Sequence, residues 1–118
     1  MTAPIDLHAK LSTFDDAWQP RTVSLFNGHD VMVAKVRGDY HWHVHPDTDD
    51  FFLVLDGCLD IDLEDGSTVT LGPGQLYVVP RGVRHRPRAR GEARILLIEP
   101  TGTPNSGDPA TAAPRRVI

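Results

Sequence analysis

Short apolar segments separated by turn residues run through most of the chain, and they predict strands rather than helices. Between residues 38 and 99, glycine or proline recurs at short intervals, which is typical of an all-β domain. Thr22 to Phe26 and Val31 to Val36 are β-rich segments, and Asn27-Gly28 between them is a strong signal for a tight hairpin turn. Residues 5 to 18 have apolar side chains at mixed spacing with possible Asp and Ser caps, and they predict one short N-terminal helix.

Strict alternation of side chains assigns faces to two of the predicted strands. In Leu59 to Glu64 the odd positions are apolar and the even positions are acidic, so one face is buried and the other is wet. In residues 84 to 90 the even positions are all arginine, and His85 faces the opposite way. One interpretation of the arginine row is a network of ion pairs with an acidic row. The alternative is a surface for an anion or a nucleic acid.

Two further segments, Phe51 to Leu55 and Arg94 to Ile98, are apolar on both faces or nearly so. Such strands lie between the core and a second layer or a partner, which favours a homodimer. From Thr101 onward the chain is rich in proline, glycine and small polar residues, and it predicts a flexible, loosely attached tail. The expected organisation is an N-terminal segment (1–20), a β domain (21–100) and a C-terminal tail (101–118).

Composition and charge narrow the possible partners. A chain of 118 residues with 40% hydrophobic content builds one domain with one core. A net charge of −4 disfavours binding to nucleic acid. No apolar run approaches the roughly 18 residues of a membrane span, and the N-terminus lacks a basic region followed by an apolar core. We therefore expect a cytoplasmic protein that binds a small molecule, with no membrane or nucleic-acid partner.

Three histidines and one carboxylate form a candidate metal site. His43 and His45 are two residues apart, so on a strand both imidazoles leave the same face, with backbones roughly 6 to 7 Å apart. Asp50 follows them, and His85 comes from a separate segment. This mixed nitrogen and oxygen set suits one divalent transition-metal ion such as Zn, Fe, Mn, Ni or Co. The adjacent Asp49 competes with Asp50 and would point to the opposite face of the strand.

His41 shares the parity of the two paired histidines, so a regular strand would turn it toward the same cavity. Its unperturbed pKa lies near neutrality, and it is our candidate catalytic residue for proton transfer. A fourth nitrogen ligand or a polar lining near the mouth are the other interpretations. Phe52 and Val54, which share the side of Asp50, are expected to line the cavity, together with one face of the strand from Leu76 to Val79.

Two segments of the chain resemble the two motifs of the cupins, at residues 38 to 57 and 74 to 89. The first motif places His-x-His before a carboxylate and a glycine, and the matching residues are His43, His45, Asp50 and Gly57. The second motif places a glycine before Pro-x-Gly and a histidine, and the matching residues are Gly74, Pro80, Gly82 and His85. The resemblance implies a small single-domain cupin: a double-stranded β-helix, or jelly-roll β-barrel, with one ion inside, a small-molecule cavity at its mouth and a homodimeric assembly. The usual strand pairing of such a barrel also implies that residues 84–90 lie beside Leu59 to Glu64, so we expect the arginine row to meet the acidic row across a shared ladder.

The expected function follows from the open coordination positions that such an ion keeps. We expect a metal-binding cupin that acts on a small polar organic molecule, as a Lewis-acid isomerase or epimerase or as a dioxygenase. The alternative is a non-catalytic ligand-binding or sensory cupin whose metal is mainly structural, because a fold does not fix a function.

Overall fold

The structure, a computed structural model, describes residues 3–118 as one short helix followed by seven strands. The elements are α1 (Leu7–Leu11), β1 (Arg21–Phe26), β2 (His29–Asp39), β3 (Asp50–Asp56), β4 (Leu59–Leu63), β5 (Thr68–Leu71), β6 (Leu76–Val79) and β7 (His85–Pro100). All strand pairs are antiparallel, in the order β1-β2-β7-β3-β6, and β4 pairs with both β5 and β7. The predicted all-β jelly-roll barrel with a short N-terminal helix is confirmed.

The hairpin between β1 and β2 has the predicted turn. Phe26 pairs with His29, so the connection has two residues, and both have positive φ: 49° at Asn27 and 74° at Gly28. Two left-handed residues give a turn whose twist matches the twist of the flanking strands. Asparagine and glycine tolerate this conformation better than other residues do, which is why the dipeptide specifies the register of the hairpin.

The N-terminal segment covers the outer face of β2. The Asp6 side chain accepts a hydrogen bond from the Ala9 amide at 3.1 Å and caps α1. The helix buries Leu11 completely, and Phe14 packs beside it in one apolar cluster with Val33 of β2. The second face of this strand is therefore covered by the chain itself.

The barrel interior is built from alternate residues of three adjacent strands. Ala34 of β2, Val54 of β3 and Ile95 of β7 are each at most 2% exposed and belong to one core cluster. The strand β7 is central to this arrangement because its 16 residues pair with β2, β3 and β4. It therefore connects His85, a candidate metal ligand at its start, to the core of the barrel.

The arginine row meets the acidic row across the β4–β7 ladder, as predicted. Asp60 lies opposite Arg88, and Asp62 lies opposite Arg86. Asp62 Oδ2 accepts hydrogen bonds from Arg86 Nη2 and from Arg88 Nε, both at 2.9 Å, and Arg90 Nη2 donates to Asp60 Oδ2 at 3.0 Å. The hydrogen bond from Arg88, and then that from Arg86, hold the pKa of Asp62 well below its ordinary value. The side chains of Arg86, Arg88 and Arg90 thus form ion pairs within the barrel wall.

Two members of the expected network lie outside it. Glu64 donates its backbone amide to the Arg84 carbonyl, and its carboxylate forms no ion pair with any described residue. The Arg84 guanidinium lies 5.6 Å from the centre of the Trp42 ring instead. The ladder ends with Leu63 opposite His85, so Glu64 and Arg84 lie beyond it.

The C-terminal segment is attached to the barrel, and the prediction of a loose tail is wrong for this structure. The Ile118 amide donates to the Thr22 carbonyl at 2.9 Å, and the Thr22 amide donates to the Arg116 carbonyl at 2.7 Å. Arg115 forms two hydrogen bonds, of 2.7 and 3.0 Å, with the buried carboxylate of Asp30. These contacts are polar and depend on backbone shape, so a segment with little apolar content can still pack specifically.

The single helix within the described residues has five residues, and no helix there has the length and apolarity needed to cross a membrane.

Candidate metal centre

Two chain segments that are remote in sequence pair directly at the site. The His43 amide donates to the His85 carbonyl at 3.0 Å, and the His85 amide donates back to the His43 carbonyl at 2.9 Å. The His45 carbonyl accepts a hydrogen bond from the Gly82 amide at 2.9 Å, where a φ of 78° favours glycine. The turn before β7 therefore fixes all three imidazoles relative to one another.

Backbone carbonyl groups set the orientation of two of the imidazole rings. Nδ1 of His43 lies 3.0 Å from the His41 carbonyl, and Nδ1 of His85 lies 2.9 Å from the Val83 carbonyl. A carbonyl oxygen only accepts, so each Nδ1 carries the proton and each Nε2 is left with a free lone pair when the ring is neutral. This is the arrangement by which proteins prepare histidines as metal ligands.

The four predicted ligands converge on a common point. The possible ligand atoms of His43, His45, Asp50 and His85 all lie within 4.8 Å of one another, and all four side chains are buried. Asp50 Oδ2 lies 2.8 Å from His85 Nε2, 3.3 Å from His45 Nε2 and 3.8 Å from His43 Nε2. Donor atoms bound at about 2.1 Å around one octahedral ion stand roughly 3 to 4 Å apart. The spacing therefore suits one shared cation, and ligation by these four residues stays our prediction.

The electrostatics of the cluster also suit a cation. Burial by itself raises the pKa of Asp50, but the three facing imidazoles outweigh this effect and hold it well below the ordinary value. His45 Nε2 is buried and forms no hydrogen bond with any described residue, although it lies near the Asp50 carboxylate. A buried nitrogen lone pair without a partner is costly unless something else binds it. This donor set therefore fits a metal ion.

Asp49, the competing carboxylate, lies outside the cluster. Its Oδ1 accepts a hydrogen bond from the Arg81 amide at 2.9 Å, and its side chain is exposed. Asp50, in contrast, is the first residue of β3 and pairs with Val79 of β6. The strand thus turns the two neighbouring carboxylates to opposite sides, as the alternation predicted.

A small cavity opens beside the cluster, with His43 and Asp50 in its wall. Its walls are mostly apolar, and Phe52 lines it as predicted, together with Trp18, Met32 and Ile95. The prediction is wrong for Val54, which is buried in the core cluster, and for Leu76 to Val79, which are absent from the lining. No lysine or arginine of the described residues lines it. The cavity has a volume of about 50 Å³ that the centre of a water molecule can occupy, which gives room for roughly three to five water molecules.

Trp18 forms one side of this cavity and is held in an unusual backbone conformation. Its φ is 61°, its amide donates to the Lys35 carbonyl at 2.9 Å, and its Nε1 donates to the Arg37 carbonyl at 2.8 Å. Its ring lies 4.8 Å from the ring of Tyr40. A non-glycine residue with positive φ needs such support, and such residues concentrate at functional sites.

Glu99 is the residue of the site that the sequence analysis missed. It lines the cavity near the end of β7 and is 6% exposed. Burial, and then the Asp50 carboxylate, raise the pKa of Glu99 to about 9. The signal was present in the sequence, because Glu99 continues the inward alternation of Ile95 and Leu97.

His41 lies elsewhere than expected. The alternation of β2 ends at Asp39, so the ring of His41 is exposed and is absent from the cavity lining. It lies 4.0 Å from the Tyr40 ring, and its carbonyl accepts the His43 hydrogen bond. The orientation derived from a regular strand is therefore wrong, and a catalytic role for His41 stays a prediction without support from the cavity geometry.

The fold and the site define a β-barrel with a candidate metal centre, and comparison with known proteins gives its family. A family model described as the cupin domain matches residues 30–99, and the chain belongs to this family. The uncharacterised protein YdbB of Bacillus subtilis strain 168 is 41% identical over 78 residues, which span 66% of this chain and 69% of YdbB.

Solved structures agree with this assignment. A cupin-2 domain protein of Shewanella frigidimarina is 41% identical, with a TM-score of 0.79, and the match covers 81% of this chain and 93% of that protein. A hydroquinone 1,2-dioxygenase of Sphingomonas in complex with 4-nitrophenol is 20% identical, with a TM-score of 0.72 over 83% of this chain and 32% of the dioxygenase. At that identity the second likeness shows the shared fold alone.

Proposed function

We propose that this cupin is a metal-dependent enzyme that acts on a small, neutral organic oxygen compound held in the barrel cavity. His43, His45, Asp50 and His85 would hold one divalent transition-metal ion. The observation that carries the proposal is the convergence of four buried donor atoms within 4.8 Å beside a cavity. The bound ion would supply Lewis acidity toward a ligand oxygen, or dioxygen chemistry if it is iron.

The protein's own residues contribute orientation, protection from water and choice of ligand. The backbone carbonyls of His41 and Val83 fix the tautomers of two imidazoles before any ion binds. Apolar walls exclude water from the donor atoms and so strengthen electrostatic interactions there. Tyr40, whose pKa is raised by burial and then by Asp50, keeps its hydroxyl proton at the cavity wall.

The cavity lining favours a less polar ligand than the sequence analysis expected. Anionic substrates are bound by lysine, arginine or backbone amides, and no lysine or arginine of residues 3–118 lines this cavity. Apolar walls with a few polar groups instead suit a neutral compound bound through one or two oxygens. Isomerisation or epimerisation and dioxygenation are the reactions that we propose for such a ligand.

The metal site is tested by elemental analysis of the protein purified without added metal. We expect close to one transition-metal ion per chain, and a loss of most of it in His43→Ala and His85→Ala. His8→Ala is the matched control, because His8 is exposed and lies against Asp56 on the outside of the barrel. Unchanged metal content in both site variants would show that the cluster is not the metal site.

The enzyme assignment is tested on the metal-loaded protein. Dioxygen uptake with the iron form would identify a dioxygenase, whereas exchange of substrate hydrogen with solvent deuterium would identify an isomerase or epimerase. Full metal loading combined with ligand binding and no turnover in either assay would instead identify a binding or sensory protein with a structural ion.

We also propose that the protein forms a homodimer through its sheet edges. Leu25 and Phe26 of β1 are 63% and 62% exposed, and Leu76 of β6 is 54% exposed. Both strands end the strand order, and the C-terminal segment pairs with the β1 edge at Thr22, so another strand could add to β6 or to β1 beyond Thr22. Analytical ultracentrifugation measures the mass in solution, and a monomer at micromolar concentration would refute this proposal. A cytoplasmic location stays a prediction.

A further inference from the structure

One polar side chain of the cavity has a role that the metal site leaves unexplained. Glu99 is the penultimate residue of β7, and its carboxyl group is buried among the cavity walls. Its Oε2 forms no hydrogen bond with any described residue. Buried polar atoms in native proteins nearly always have a partner, so an orphaned one needs an explanation.

The surroundings exclude an ion pair as that explanation. The neighbouring charged group is the Asp50 carboxylate, which disfavours ionisation of Glu99 and lies within hydrogen-bond reach of its carboxyl group. A hydrogen bond to Asp50 uses one carboxyl oxygen of Glu99 and leaves the other without a partner. Thr101 and Arg115 lie near the end of β7 in sequence or space, but both direct their hydrogen bonds to Asp30. Glu99 lines the same cavity as the metal cluster, so a ligand in that cavity is an available partner for its carboxyl group.

The shape and the lining of the cavity restrict that ligand. Trp18 and Phe52 supply aromatic surfaces on its walls, and the Trp18 ring is held by its own hydrogen bond to the Arg37 carbonyl. The open volume corresponds to roughly three to five water molecules, or about 100 to 150 Å³ of liquid, which is the size of one small ring. Flat apolar walls bind a planar ring well.

We propose that Glu99 binds a hydroxyl group of the ligand, and that the ligands are neutral single-ring compounds with a phenolic or enolic hydroxyl. A hydroxyl group both donates and accepts, so it satisfies the Glu99 carboxyl group whether or not that group carries a proton. This inference rests on the proposed function only in placing the ligand in the same cavity. It assigns Glu99 to ligand recognition and not to metal ligation.

The test compares phenol with toluene, which has a methyl group in place of the hydroxyl. Dissociation constants are measured by calorimetry for the wild type, Glu99→Leu and Glu99→Gln, each with its metal content determined and its fold checked by circular dichroism. We expect the wild type to prefer phenol, because a site built for a hydroxyl rejects the analogue that lacks it. In Glu99→Leu the preference should fall by at least about tenfold, whereas Glu99→Gln, which keeps a donor and an acceptor, should retain most of it.

Three other outcomes overturn the inference, and a fourth separates it from the proposed function. An unchanged preference in Glu99→Leu would show that the metal or Tyr40 binds the hydroxyl. Loss of metal from both variants would make Glu99 part of the metal site, and failure of the wild type to bind phenol would refute the ligand class. If the wild type holds no metal and still prefers phenol, and this preference is lost in Glu99→Leu, the inference is supported and the proposed function is refuted. The two therefore fail separately.

Discussion

Gly107 lies against the segment that carries the candidate ligands His43 and His45, and a methyl group there should force the two segments apart. Gly107 has a φ of 79°, and a Cβ atom on it would collide with the carbonyl oxygen of Val44 and stand 3.3 Å from the Val44 carbonyl carbon. Val44 lies between His43 and His45, so backbone displacement at this point is transmitted to both imidazoles. We therefore predict that Gly107→Ala weakens both the fold and the metal site.

The magnitude has two separable parts. Placing alanine in the left-handed region costs about 1 to 2 kcal/mol at any such position. The collision with backbone adds about 1 to 3 kcal/mol, which is the usual range for overpacking a well-packed site. The free energy of unfolding should therefore fall by about 2 to 5 kcal/mol in Gly107→Ala. Gly102→Ala is the matched control, because Gly102 has a φ of 93° and a Cβ atom there meets nothing within 4 Å.

Urea unfolding followed by tryptophan fluorescence measures both losses, and titration with a divalent ion measures the change in metal affinity. Gly102→Ala should lose only about 1 to 2 kcal/mol and keep wild-type metal affinity. Equal losses in the two variants, with metal affinity unchanged in both, would refute the reasoning. That result would mean that the segment moves away from Val44 at no cost and does not support the site.

Three further predictions concern the barrel and its ion. Gly57→Ala should destabilise the protein by about 1 to 3 kcal/mol more than Gly66→Ala, as measured by urea unfolding, because a Cβ atom at Gly57 would lie 2.6 Å from the Glu92 carbonyl oxygen and one at Gly66 meets nothing within 4 Å. Asp62→Asn should cost about 1 to 3 kcal/mol at pH 7, and Glu64→Gln should cost little. The pKa of Asp62 is lower in the folded state than in the unfolded state, so its contribution to the free energy of unfolding is complete above the unfolded pKa of about 3.9. This contribution is lost as the pH falls toward the folded-state pKa, so the unfolding curves of the wild type and Asp62→Asn should converge in acid. When the free metal ion is kept at about 100 times its dissociation constant, removing it with a chelator should lower the free energy of unfolding by about 2.7 kcal/mol. The melting temperature should then fall by roughly 8 to 15 °C. An unchanged melting temperature would contradict a metal site in the folded state.

The features that the sequence predicted correctly depend on local periodicity. The Asn27-Gly28 turn follows from two residues that tolerate positive φ, and the pairing of Asp60 with Arg88 follows from alternation in two strands. The convergence of the four candidate ligands came from spacing combined with a family resemblance. Alternation alone would not have shown that His85 pairs with His43.

The features that the sequence did not predict depend on contacts between remote segments. The strand through His41 was assumed to be regular, but pairing of β2 with β7 has ended by that point, so its parity carries no information. The attachment of the C-terminal segment comes from Arg115 and from backbone hydrogen bonds, which leave no hydrophobic pattern. Glu99 was overlooked because an acidic residue at the end of an apolar strand is ordinarily exposed.

The length of β7 affects how the protein folds during its synthesis on the ribosome. Its 16 residues pair with β2, β3 and β4, all of which are translated earlier, and it also supplies His85. The strand edges that pair with β7 therefore stay unpaired until residues 85–100 have left the exit tunnel, and pairing between such remote segments is slow. During this interval the nascent chain is exposed to misassembly with its neighbours, and only three of the four proposed metal ligands are available to an ion.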